Sequence, residues 1–191
     1  MSCMQFPNIL PKTPLHKTTL DDEAALDFSQ LPPFLRVLLV TDGVVTRTLE
    51  AYFGEPIDIV VLSHLELRSE RCHPEIAVNV GDPIVSRRVL LRGRSTQHVY
   101  VLASSIVVMD LIPPEVRQRL TEDKKGIGEL LSASRLETYR EIISIRKYNE
   151  KECAGYFGVA TRGCAVGRTY KIYLDKRAVI LIEEVLPITR F

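Results

Sequence analysis

The chain of 191 residues has no tryptophan, only four cysteines, almost no net charge and no long apolar run. Lacking Trp, it loses one common stacking and anchoring residue, which by itself excludes no function. The cysteines stand at positions 3, 72, 153 and 164, with no C-x-x-C pair among them. In a chain of this length that pattern fits reduced thiols rather than a disulfide framework. Cys72-His73 has no second cluster at ligand spacing, so no metal site is expected. Twenty-five basic residues stand against 24 acidic ones, a formal charge of +1. That balance removes the electrostatic case for nucleic acid or an anionic membrane as partner. No window approaches the ~18 apolar residues of a membrane span, and residues 1–30 lack the apolar stretch of a signal peptide. A soluble cytoplasmic protein is the expectation. No P-loop or dinucleotide fingerprint occurs, and neither Ser63-His64 nor Ser104-Ser105 sits in the context of a nucleophile elbow.

What is present is globular: 46% hydrophobic and 26% charged residues. Residues 1–30, mixed in character, read as a partly flexible N-terminal extension, and 31–191 as one domain. Residues 31–54 read as two helical pieces separated at Asp42-Gly43, the second capped by Thr46 or Asp42 and closed by Gly54. Ile57, Ile59, Val61, Leu65 and Leu67 alternate as in a strand bulged near Ser63. Residues 84–111 form a hairpin, followed by short helices in "PPEVRQRLTED" and "GIGELLSAS". Another hairpin spans 167–187. "RLETYREIISIRKYN" fits helix in its first part and strand from Thr138. The order implies an α+β domain: an antiparallel sheet of about six strands with helices over one face.

Side-chain alternation then exposes a puzzle. Arg87 shares a strand face with Val85, Val89 and Leu91. Arg168 shares one with Tyr170, Ile172 and Leu174. Glu183 and Glu184 interrupt a strand apolar on both faces, so one carboxylate must point inward. The structural reading is an arginine running its stem along apolar surface, or pairing with a buried glutamate. The functional reading is a closed pocket in which a guanidinium clamps an anionic ligand. In "KKGIGEL" the amides of Ile127 and Gly128 open a helix and can face an anion, whereas Lys124 and Lys125 read as solvated.

Four stretches, "LRVLLVTDGVVTRTLE", "RRVLLRGRSTQHVYVLASSIV", "GIGELLSASRLET" and "GRTYKIYLDKRAVILIEEVLP", carry a resemblance that runs from about Leu35 to Leu186. Together they resemble the chorismate pyruvate-lyase family, also called 4-hydroxybenzoate synthases, in a divergent bacterial and archaeal branch. The resemblance implies a lyase that converts chorismate to 4-hydroxybenzoate and pyruvate without a cofactor, in a ligand site sealed beneath helical flaps. It places the substrate-clamping arginine at Arg87 and the glutamate that meets the hydroxyl end at Glu183, these two being the catalytic pair. It places main-chain contacts to the ring carboxylate near Val45 and Ile127, where another branch of the family carries Met and Leu, and a further substrate-binding arginine at Arg168. The implied partner is a small molecule, with neither nucleic acid nor membrane, and nothing in the sequence sets an oligomeric state. The rival is a non-catalytic effector-binding domain of the same fold, as in some transcription regulators. Against it, an extension of ~30 residues is too short for a winged helix-turn-helix. A third reading is a lyase or hydratase acting on a related acid.

Overall fold

The computed structural model describes residues 26–122, 126–134, 136–148, 156–157 and 165–191. Most of the N-terminal extension, Lys124 and Lys125, and Cys3, Cys153 and Cys164 lie outside the described residues. Six antiparallel strands form one open sheet: β1 (Ile57–Arg68), β2 (Pro83–Gly93), β3 (Val99–Val108), β4 (Thr138–Tyr148), β5 (Ala165–Leu174) and β6 (Arg177–Pro187). Their spatial order is β1-β2-β3-β6-β5-β4. Within the ambiguous stretch, Thr138–Tyr148 is an edge strand. Its outer half has no apolar stripe for a helix to bury, and β5 supplies a partner for its backbone. The bulge expected near Ser63 falls between Val61 and Ser63.

Four helices are found among the described residues: α1 (Pro33–Val40), α2 (Val45–Phe53), α3 (Pro114–Glu122) and α4 (Ile127–Ala133). Proline sits in the first turn of α1, where its missing N–H costs nothing. Gly54 closes α2 at φ 66°. The start of α2 departs from expectation. Val44 is its N-cap, and neither Thr46 nor Asp42 caps the first turn with its side chain. Gly126 opens α4 and likewise supplies none. The amides of these two first turns are left for another partner.

Cross-strand register sorts the helix-covered face into rows. Val85, Val107, Ile180 and Ile172 form an apolar row, buried under α3 and α4. Leu91 with Val101, and Leu186 with Val166, belong to a second apolar region, buried under α1 and α2. Between them lie Arg87, Ser105, Ile182 and Tyr170, then Val89, Ala103, Glu184 and Arg168. The polar residues of this face are thus gathered in the seam between two apolar cores. Burial at ~25 cal/mol per Å² stabilises the rows on either side, but the seam needs polar partners.

Candidate functional site

A small cavity of about 70 Å³ occupies that seam. Its floor includes Arg87, Ser105, Tyr170 and Glu184, and its roof is the chain at 43–46 and 126–129. The roof segments are the uncapped starts of α2 and α4. Both therefore present main-chain N–H groups, and the positive ends of their helix dipoles, to the same small space.

Arg87 is 2% exposed. Its Nε and Nη2 are buried and have no hydrogen-bond partner among the described residues. Burial pulls its pKa down. An arginine does not give up its proton, so the cavity holds a full positive charge with no ion-pair partner among the described residues. Such a charge costs on the order of several kcal/mol.

Glu184 is the opposite case. Arg168 donates through Nε to its Oε2 at 2.9 Å, and the Tyr170 hydroxyl donates to its Oε1 at 3.0 Å. All three side chains are at least nine-tenths buried. Burial and the neighbouring Glu184 carboxylate hold the Tyr170 phenol well above its usual pKa, so it stays a donor. Arg168 also donates through Nη1 to the Thr41 carbonyl at 2.5 Å. The carboxylate is thus locked in place, and the same arginine ties β5 to the loop that leads into α2. Gly167 is required here, because a Cβ would collide with the Glu184 backbone carbonyl and come within 2.8 Å of the Tyr148 ring.

Two sequence expectations are corrected by this arrangement. Glu183 does not face the cavity. It lies on the opposite sheet face, where it accepts from the Tyr148 hydroxyl at 2.6 Å and pairs with Arg146 at 3.4 Å. The reason is a β-bulge in the last hairpin. Leu174 pairs with Arg177 and Tyr173 with Ala178, but Ile172 pairs with Ile180. That one-residue slip sets Arg168 opposite Glu184 instead of Glu183, and a slip of one flips the side-chain face. Arg168 in turn is not in the cavity lining and is occupied by Glu184 and Thr41. Arg87, Val45 and Ile127 all line the cavity. The sequence reading missed Ser105, Tyr170 and Arg140, which line it too. Tyr170 was readable as the residue two after Arg168 on the same face, but nothing local marked it as a carboxylate's partner.

Arg88, the other member of the pair, points away and donates to the Tyr156 hydroxyl at 2.7 Å. Among the described residues no group of three or more His, Cys, Asp or Glu side chains could hold a metal ion. No helix among them is long and apolar enough to cross a membrane.

Comparison with known proteins places the chain in a family. The family described as "Chorismate pyruvate-lyase Rv2949c-like" matches residues 39–191. A chorismate pyruvate-lyase of Mycobacterium leprae is 32% identical over 154 residues, 78% of this chain and 72% of that protein. One from Mycobacterium tuberculosis is 26% identical over 158 residues, 78% and 77% of the two chains. Among solved structures, the effector domain of PhnF from Mycobacterium smegmatis superposes with a TM-score of 0.60 at 16% identity. It covers 79% of this chain and 92% of that one, a likeness of fold alone. With 153 of its residues spanned by that match, the chain belongs to the Rv2949c-like chorismate pyruvate-lyase family.

Proposed function

We propose that the protein is a lyase that converts chorismate to 4-hydroxybenzoate and pyruvate, using no cofactor. In this reading residues 31–191 form the catalytic domain and residues 1–30 an extension. One observation carries the proposal above all. Arg87 is a buried cation whose Nε and Nη2 have no hydrogen-bond partner among the described residues, and it lines a cavity that two helix starts also line. An anionic ligand supplies the missing partner.

Chorismate offers a ring carboxylate, a ring hydroxyl and an enolpyruvyl ether bearing a second carboxylate. Arg87 takes the ring carboxylate with its planar fork, joined by main-chain N–H groups at Val45 and Ile127. Glu184 accepts a hydrogen bond from the hydroxyl. Because Arg168 and Tyr170 already fill donor positions on both its oxygens, Glu184 serves as a fixed acceptor and not as a proton source. Arg168 is then a positioning residue. In the reaction the ether carbon–oxygen bond breaks and its electron pair leaves with the enolpyruvate. The ring carbon bearing the hydroxyl loses its hydrogen as a proton, and the freed electrons complete the aromatic ring. The proton ends on the methylene carbon of the enolpyruvate, which becomes pyruvate. Aromatisation supplies the driving force, so the site's work is to hold the reactive conformer and stabilise charge at the departing oxygen.

A cavity of about 70 Å³ is small beside the ~300–1,000 Å³ usual for ligand pockets. Entry and release therefore require the two helix starts to part, and product should leave slowly. Incubating the purified protein with chorismate and resolving the aromatic product tests the reading. The expected result is stoichiometric 4-hydroxybenzoate and pyruvate, with inhibition by added 4-hydroxybenzoate. Tight binding of aromatic acids with no consumption of chorismate would instead make the domain a sensor, the role that the fold of the PhnF effector domain suggests. A different aromatic product would make it a lyase of other regiochemistry.

A further inference from the structure

A dianion needs a second cation, and Arg87 stands at only one end of the cavity. The other end is formed by Arg140, on the edge strand β4. Arg140 lies opposite Ile172 of β5, on the helix-covered face. From β2 to β4 the sheet order takes four inter-strand steps, about 19 Å between strand axes at the usual spacing. Glu184, on β6, lies two steps from each. The cavity is therefore laid out as cation, carboxylate, cation, with the two arginines converging from either side of β6.

Arg140 has free donor capacity. Its Nη1 donates to the Asp42 carbonyl at 2.7 Å, an uncharged partner, and no carboxylate among the described residues forms an ion pair with it. Its Nη2 would lie 3.5 Å from a Cβ built on Gly128, so the guanidinium sits against the opening turn of α4. Its charge is felt at the Tyr170 phenol inside the cavity. Glu129 also lines the rim, and it sets a negative charge against any anion that Arg140 does not hold.

We infer that Arg140 binds the second carboxylate of the substrate, the one carried by the enolpyruvyl group, and so selects dianion over monoanion. This rests on the lyase reading above. Arg87 then grips the half that stays in the product, and Arg140 the half that departs. The Asp42 contact pulls the other way, toward a purely structural role in holding the loop before α2.

Product affinity separates the two roles, because 4-hydroxybenzoate has only the ring carboxylate. For Arg140→Gln the expected result is a roughly 10–100-fold loss in kcat/KM for chorismate with inhibition by 4-hydroxybenzoate unchanged within about twofold. Arg140→Lys should recover part of the loss. A parallel fall in 4-hydroxybenzoate affinity would show that Arg140 acts through the loop and the Val45 amide, and would overturn the inference. So would wild-type values for both ligands. If wild type fails to turn chorismate over, the lyase reading falls, and the Kd values of chorismate and 4-hydroxybenzoate still decide the role of Arg140. A dianion preference lost in Arg140→Gln upholds it, and an unchanged preference, or no binding of either acid, overturns it.

Discussion

Arg87 carries a charge into a place where no described residue forms an ion pair with it, and that has opposite consequences for stability and for binding. Removing the guanidinium relieves an uncompensated burial, so Arg87→Met should melt at least as high as wild type. The same change should remove ~2–5 kcal/mol of binding to 4-hydroxybenzoate, the cost of losing one partner of a buried charged contact. Arg88→Ala, on the far face beside Tyr156, should leave binding nearly untouched. Calorimetric titration with parallel melts distinguishes the two, and equal losses at 87 and 88 would refute the face assignment. The glutamate pair repeats the contrast. Glu184→Gln weakens the contact with Arg168 and should slow turnover on the order of 10²-fold through misplacement of the substrate. Glu183→Gln, held by Tyr148 and Arg146, should stay within a few-fold of wild type. Steady-state rates on chorismate for both variants, checked for intact folding, decide which carboxylate meets the substrate.

At the scale of elements, the β2–β3 hairpin is held by a carboxylate from outside it. Glu55, just after α2, accepts from the Ser95 and Thr96 amides at 2.7 and 3.1 Å and from the Thr96 and Tyr100 hydroxyls at 2.7 and 3.0 Å. Gly93 keeps the space open, since a Cβ there would strike Glu55. These donors, the Thr96 hydroxyl foremost, hold the Glu55 carboxyl down at about 2 from an ordinary 4.5. A folded-state pKa below the unfolded value adds stability that is fully present above about 4.5 and is lost as pH falls toward 2. Wild type should therefore exceed Glu55→Gln in urea midpoint at pH 7, and the gap should shrink to about a quarter at pH 2.5, closing only below the folded pKa. A gap that persists unchanged at low pH would mean that the turn is held by something other than the ionised carboxylate. The hairpin bears on function because its β2 arm carries Arg87.

At the scale of the whole molecule, the proposed ligand would complete the fold. Two apolar cores flank a polar seam, and in that seam the buried Nε and Nη2 of Arg87 have no hydrogen-bond partner among the described residues. Anything that binds the folded state alone stabilises it, by about 2.7 kcal/mol at a hundred times Kd. For a chain of this size that is a rise in Tm on the order of 5–10 °C. Saturating 4-hydroxybenzoate should produce such a rise in wild type and almost none in Arg87→Met. A similar rise in both would place the binding site elsewhere, the open groove of about 680 Å³ between the β1–β2 margin and α3 being the alternative location.

Much of this was legible in the sequence, because alternation and helical spacing are local properties. Both hairpins, the bulge near Ser63, the helical pieces and the inward turn of Arg87 follow from which residues neighbour which. The stretch that became β4, Thr138–Tyr148, resisted, because an edge strand with one wet side carries a mixed pattern, and pairing with β5 resolved it. The choice between Glu183 and Glu184 was out of reach for another reason. β6 is apolar on both faces, so neither face announces itself as the core. Only the register against β5, slipped by one at the Ala178–Ile180 bulge, sets Glu184 beside Arg168 and turns it toward Arg87. Convergence of the α2 and α4 starts was equally hidden, since residues 45 and 127 meet only across the sheet. Sequence alone determined which residues carry charge into an apolar fold; tertiary register decided which of those charges meet.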